Sequence, residues 1–214
     1  MERKHNEITG QAADEATDEA TDEELMMCYG AGNADAFDVL YQRYKAPLYR
    51  FVLRQCGSQT VDELFQDIWL KVINARSHYQ VTASFKTWIY HLARNRIIDL
   101  YRRNNIRPAD NNADELERLA STSIAQPEVH LHTQNQYQVL LNAIAELPAD
   151  QKEAFLLREE AGLSVEQIAE TCGINVETAK SRLRYAVSKL RHKLEQSQNR
   201  ILEQNPDQQS GELR

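Results

Sequence analysis

Lys180 and Arg184 stand one helical turn apart in the stretch TAKSRLR (178–184). From 180 to 193 the chain carries Lys180, Arg182, Arg184, Lys189, Arg191 and Lys193 with no acid among them. Cations spaced this way on a helix can neutralise phosphates or present donor forks to guanine edges. A second basic cluster, Lys86, Arg94, Arg96, Arg102, Arg103 and Arg107, is opposed only by Asp99 and is interleaved with Trp88, Tyr90 and Tyr101. Cations that hold phosphates beside aromatic faces that support unstacked bases suit an opened nucleic-acid strand. The plainer reading of Trp88 is a core residue. A third set, Glu63, Gln66, Asp67, Leu70 and Asn74, shares one helix face opposite an apolar stripe. An acidic face with a single Leu is as readily a solvated surface as a partner surface. Asp62, Glu63 and Asp67 also raise the possibility of a metal-dependent nuclease, but no nucleophile–base set and no phosphate-cradling Gly loop accompanies them.

The elements that must position these residues read as helices. Gly is only 7 and Pro only 5 of 214 residues, and no alternating strand pattern stands out. Phe37, Leu40, Tyr41, Tyr44, Leu48 and Phe51 recur at helical spacing, with a kink or break expected at Pro47. Val61, Leu64, Phe65, Ile68 and Val72 predict a second helix to about Ala75, and Ile89, Leu92, Ala93, Ile97 and Leu100 a third, from about Phe85 to Arg103. Val139–Leu147 and Asp150 to about Glu160 follow, separated by Pro148, and Gly162 ends the second. Ser164 with Gln167 three residues on forms a capping box, Gly173 supplies a tight turn, and Asn175 caps the last helix. The pattern from Leu163 to Leu190 is a helix-turn-helix, with Ile168, Ala169, Ile174, Val176, Ala179 and Leu183 at the crossing. Val176, Ala179, Leu183, Val187, Leu190 and Leu194 are the expected buried stripe of its second helix.

The fold class is therefore all-α, with two small helical domains. A domain at 25–104 is joined by a polar linker at 105–137, containing Pro108 and Pro127, to a helix-turn-helix domain at 138–195. Residues 1–24 and 196–214 read as disordered tails. The net charge of -7 lies entirely in the first 24 residues, which hold nine acids and two bases. The remaining 190 residues balance 23 bases against 23 acids. Two basic stripes on a neutral body fit two contacts with a polyanion. Cys28, Cys56 and Cys172 form no CxxC pair, and His130 and His132 lack Cys or carboxylate companions, so neither a disulfide framework nor a metal site nor a cofactor is expected. The acidic start is unlike a signal peptide, and no apolar run approaches membrane-spanning length, which fits a cytoplasmic protein.

Residues 147–194, LPADQKEAFLLREEAGLSVEQIAETCGINVETAKSRLRYAVSKLRHKL, resemble region 4 of the extracytoplasmic-function group of sigma-70 family sigma factors, with TAKSRL (178–183) the most telling part. ADAFDVLYQRY (34–44), VDELFQDIWLKVI (61–73) and FKTWIYHLARNRIIDLYRR (85–103) resemble successive segments of region 2. Glu177 departs from the Gly common at its position.

That resemblance implies a non-enzymatic transcription initiation factor that brings core RNA polymerase to promoters and helps open them. It implies that Asp62, Glu63, Gln66, Asp67 and Leu70 dock on the polymerase, whose β′ clamp and β flap would be partners. It assigns minus-10 recognition and melting to Ser84, Phe85, Lys86, Trp88, Tyr90, Arg94, Asn95, Arg102 and Arg103, with the loop 80–84 helping to capture a flipped base. Minus-35 recognition falls to Glu177, Thr178, Lys180, Ser181, Arg182 and Arg184. An anti-sigma protein, commonly membrane-anchored, is a further implied partner. The alternatives are a stand-alone helix-turn-helix regulator, which would bind an operator tightly without polymerase, and a metal-dependent nucleic-acid enzyme.

Overall fold

The computed structural model describes residues 20–104 and 127–204. Among them every regular element is a helix: α1 Asp22–Gly30, α2 Ala34–Cys56, α3 Ser58–Ala75, α4 Phe85–Asn104, α5 Pro127–Ala145, α6 Ala149–Glu159, α7 Val165–Cys172 and α8 Val176–Gln204. Helices α1–α4 pack on one another, as do α5–α8, and α4 meets α7 while α2 meets α6.

The first helix begins earlier than composition suggests. Thr21 caps α1 in a capping box with Glu24. The Asp22 carboxylate accepts from Arg43 at 2.8 Å and from the Tyr44 hydroxyl, and Glu23 accepts from the Phe85 amide at 2.6 Å. The last acids of the supposed tail are thus structural: one pairs with α2, and another satisfies an orphan amide at the start of α4. The expected tail at 1–24 gives way to helix from Asp22, and residues 1–19 lie outside the described part.

Helix α2 runs unbroken through Pro47. The ring removes one backbone bond, and the flanking Tyr44, Leu48, Phe51 and Val52 are all buried, so packing holds the helix together. Phe37, Tyr41, Phe65 and Trp69 interlock where α2 crosses α3. Helix α5 begins at Pro127, inside the segment expected as linker, and residues 105–126 lie outside the described residues. At the other end, α8 continues through Glu195 to Gln204, where a frayed tail was expected from 196, and 205–214 are not described.

The helix-turn-helix forms as its sequence predicts. Ser164 and Gln167 make a reciprocal capping box, Gly173 adopts a left-handed φ of 66°, and the Asn175 side chain accepts from the Thr178 amide at 2.7 Å. Of the expected buried stripe of α8, Ala179 and Leu190 are buried, Val176, Leu183 and Leu194 are half-buried, and Val187 turns outward. Ala179, Ala186 and Leu190 are buried while Val187 is 43% exposed. Where α8 approaches its neighbours closely, the smaller Ala186 takes the inward place. A pattern read by hydrophobicity favours Val187, because Ala is a weak apolar signal.

Candidate nucleic-acid and polymerase interfaces

Sealing one face of α8 leaves the other open. Glu177, Lys180 and Arg184 are exposed, and Thr178 and Ser181 are half-buried beside them. Lys180 Nζ lies 2.8 Å from Glu177 Oε1, and this hydrogen bond pushes the lysine pKa up, so the ammonium stays charged. The Arg184 guanidinium sits 5.1 Å from the centre of the exposed Tyr185 ring, a stacking that braces the fork facing outward. Arg182 is placed differently. It pairs with Asp150 of α6 at 2.5 Å, on the flank of the helix, and fastens α8 to α6. Sequence reasoning missed Tyr185, although its position off the apolar stripe and next to Arg184 marked it.

The residues expected to handle opened DNA are divided between surface and core. Arg102 and Arg103 are exposed in the last turn of α4, and Lys86, Arg94 and Asn95 are half-buried. Trp88 is half-buried, its ring centre 5.2 Å from that of Tyr79 and 5.5 Å from that of Phe85, so one face is structural and part remains accessible. Phe85 and Tyr90, expected at the interface, are core residues. Tyr90 is 1% exposed and edge-on to Phe51, and burial pushes its hydroxyl pKa up. On a helix carrying aromatics and cations so densely, residue type alone does not separate the stacking face from the packing face. Ser84 caps α4 by accepting from the Thr87 amide at 3.1 Å, and the loop before it exposes Gln80, Val81 and Thr82.

On α3 most of the face opposite the apolar stripe is open to solvent. Asp62, Glu63, Gln66 and Asn74 are exposed, and Leu70 is 53% exposed in their midst. Asp67 departs from the set. It pairs with Arg96 of α4, which locks the two helices, while Asp62 accepts from the Tyr49 hydroxyl at 3.0 Å. Three or more His, Cys, Asp or Glu side chains gathered for a metal do not occur among the described residues, and the side chains of His130 and His132 lie outside them. Cys56 and Cys172 are buried and free, their thiol pKa values pushed up to about 12 by burial. No helix among the described residues is long and apolar enough to cross a membrane.

A helical domain with a cation-and-aromatic face, followed by a helix-turn-helix with an open basic face, defines a two-module DNA-binding protein. Residues 40–106 match the model of Sigma-70 region 2, and residues 137–190 that of Sigma-70, region 4. The chain belongs to the sigma-70 family, in its extracytoplasmic-function group. It is 29% identical over 158 residues to the ECF RNA polymerase sigma-E factor of Escherichia coli (strain K12), covering 71% of this chain and 83% of that protein. It is 26% identical over 164 residues to the RNA polymerase sigma factor YlaC of Bacillus subtilis (strain 168), covering 76% and 94%. In fold it resembles CnrH in complex with the cytosolic domain of CnrY, with TM-score 0.60, 20% identity, and coverage of 81% of this chain and 97% of the other. It also resembles the sigma factor RpoE in complex with the anti-sigma factor NepR from Bartonella quintana, with TM-score 0.55, 22% identity, and coverage of 74% and 96%. The protein is thus a non-catalytic RNA polymerase sigma factor that directs promoter recognition and transcription initiation.

Proposed function

We propose that the work is divided among three surfaces of this chain. The open face of α8 reads the minus-35 element in duplex form, with Arg184 and Ser181 contacting bases and Lys180 supplying charge. Glu177, standing where a Gly is common, narrows what that face accepts near the helix start. The exposed part of α4, with Lys86, Trp88, Arg94, Asn95, Arg102 and Arg103, together with the 80–84 loop, holds the opened minus-10 strand. Asp62, Glu63, Gln66 and Leu70 on α3 dock on the β′ clamp of core polymerase, and the helix-turn-helix domain meets the β flap.

The single observation that best supports this division is the two-sidedness of α8. Ala179, Ala186 and Leu190 seal the domain, while Lys180 and Arg184 are exposed on the far side, Lys180 paired with Glu177 and Arg184 stacked on Tyr185 of the same helix. Such a factor acts where polymerase and chromosome are, in the cytoplasm. The solved complexes of CnrH with CnrY and of RpoE with NepR suggest that a separate anti-sigma protein restrains this chain as well.

The experiment is in vitro transcription with purified core polymerase on a promoter library. Selective initiation on adding the protein supports the reading. Tight operator binding with no effect on initiation would instead indicate a stand-alone regulator.

A further inference from the structure

The first turn of α1 sends each of its acids to a different partner. Glu24 closes on Thr21 in the capping box, and Leu25 and Met26, next along, are buried. Asp22 reaches α2, where its carboxylate accepts from Arg43 at 2.8 Å and from the Tyr44 hydroxyl. Glu23 reaches α4, where it accepts from the Phe85 amide at 2.6 Å across 62 positions of sequence. That amide is one of those at the head of a helix that lack an intrahelical acceptor, and the Ser84 hydroxyl takes another, that of Thr87.

Glu23 thus acts at the point where the loop 80–84 enters α4. One aromatic cluster pins both ends of that loop. Tyr79, before it, has its ring centre 6.2 Å from that of Phe85 and 5.2 Å from that of Trp88, and Phe85 and Trp88 are 5.5 Å apart. Tyr44, whose hydroxyl Asp22 holds, lies 5.3 Å from Phe85. The Tyr79 hydroxyl is buried without a hydrogen-bond partner among the described residues, and its pKa is pushed up to about 12, by burial first and by Glu23 and Asp22 after it. The two α1 acids are therefore neighbours of the cluster at Tyr79 as well as at Phe85.

We propose that Glu23 is a positioning residue for strand capture: anchored in the first turn of α1, its carboxylate holds the Phe85 amide and so fixes the loop 80–84 and Trp88 in the arrangement that receives the opened strand. The inference rests on the reading of that loop and α4 as the strand-holding surface. A free acid there would oppose a polyanion. Here the Phe85 N–H and the positive end of the α4 dipole offset its charge. Without Glu23 the amide has no acceptor, and water can replace one only if Phe85, 0% exposed, moves outward. Phe85 would carry the end of the loop and the Trp88 ring with it. The duplex-reading face on α8 and the polymerase-facing side of α3 are separate surfaces and should be unaffected.

The test compares Glu23→Ala, Glu23→Gln and Asp38→Ala in the full chain. Glutamine keeps a carbonyl oxygen for the Phe85 amide, and Asp38, exposed on α2, controls for the loss of one negative charge. Hydrogen exchange of the 80–88 amides, followed by NMR on the free chain, reads the loop. Binding of the holoenzyme to a labelled single strand, the non-template strand of a promoter recovered by the initiation assay above, reads capture. Glu23→Ala is expected to speed exchange at Phe85 and to weaken single-strand binding about fivefold or more, while affinities for core polymerase and for the upstream duplex stay within about twofold of wild type. Glu23→Gln should restore wild-type exchange and binding. The direction of the effect separates positioning from charge, because removing an acid by itself tightens DNA binding, as Asp38→Ala should do slightly. Unchanged exchange in Glu23→Ala, or tighter strand binding by it, overturns the proposal. Faster exchange with wild-type strand binding would instead show that the strand is held elsewhere, and would remove the underlying reading of the loop.

Discussion

At the scale of single residues, what decides function is which side of a helix a cation ends on and whether another side chain already holds it. Lys180 and Arg184 end on the exposed side with partners on their own helix, Glu177 and Tyr185, whereas Arg182 is taken by Asp150 and Arg96 by Asp67 on other helices. Lys180→Ala is expected to weaken binding of the full chain to all duplexes alike and to lower the salt slope by about one unit, as loss of a phosphate contact does. Arg184→Ala is expected to cost roughly 1–3 kcal/mol and to relax preference at one base position. Binding to a duplex library at several salt concentrations separates the two, and wild-type behaviour of both variants would remove this face from DNA recognition. Leu70 is the other informative residue, because a half-exposed Leu amid acids has no packing role to lose. Leu70→Asp should leave the circular dichroism spectrum and melting unchanged while weakening affinity for core polymerase. Unchanged affinity would show that polymerase docks elsewhere.

At the scale of elements, the sequence was most legible where local chemistry dictates local geometry. The Ser164–Gln167 box, the left-handed Gly173 and the Asn175 cap each depend on residues within three or four positions, and each forms as expected. Legibility fell where a distant partner decides. Asp22 and Glu23 read as tail until Arg43, Tyr44 and the Phe85 amide are brought to them. Pro47 reads as a break until the buried residues around it are seen to hold the helix. Tyr90 and Val187 exchange their expected places, inside for outside, because crossing distances between helices do not show in spacing. The close approach of α1 to α3 is another such feature. A Cβ built on Gly30 would stand 2.6 Å from the Arg76 carbonyl oxygen. Gly30→Ala must displace backbone, and is expected to destabilise the chain by about 1–3 kcal/mol, the usual cost of overpacking. Urea denaturation measures it, and an unchanged midpoint would mean that the helix end shifts freely.

At the scale of the whole molecule, the order and identity of the modules could be read from sequence, but their mutual placement could not. Nothing in residues 147–194 announces that Glu153 and Glu160 will meet Arg94, Arg50 and Arg54, since each partner is at least 59 positions away (153 - 94 = 59) and each charge is equally at home in water. Their meeting has a thermodynamic consequence that can be checked without DNA or polymerase. A buried cluster continuous across both domains couples their unfolding, so the wild-type chain is expected to melt in one calorimetric transition, with calorimetric and van't Hoff enthalpies equal. Glu160→Arg places a cation between Arg50 and Arg54, turning an attraction into a repulsion at the centre of the seam. The two domains should then melt separately, and the van't Hoff enthalpy should fall below the calorimetric one. Adding Arg54→Glu should rejoin the transitions. If Glu160→Arg melts in a single transition identical to wild type, the charged seam does not couple the domains, and apolar contact alone holds them together.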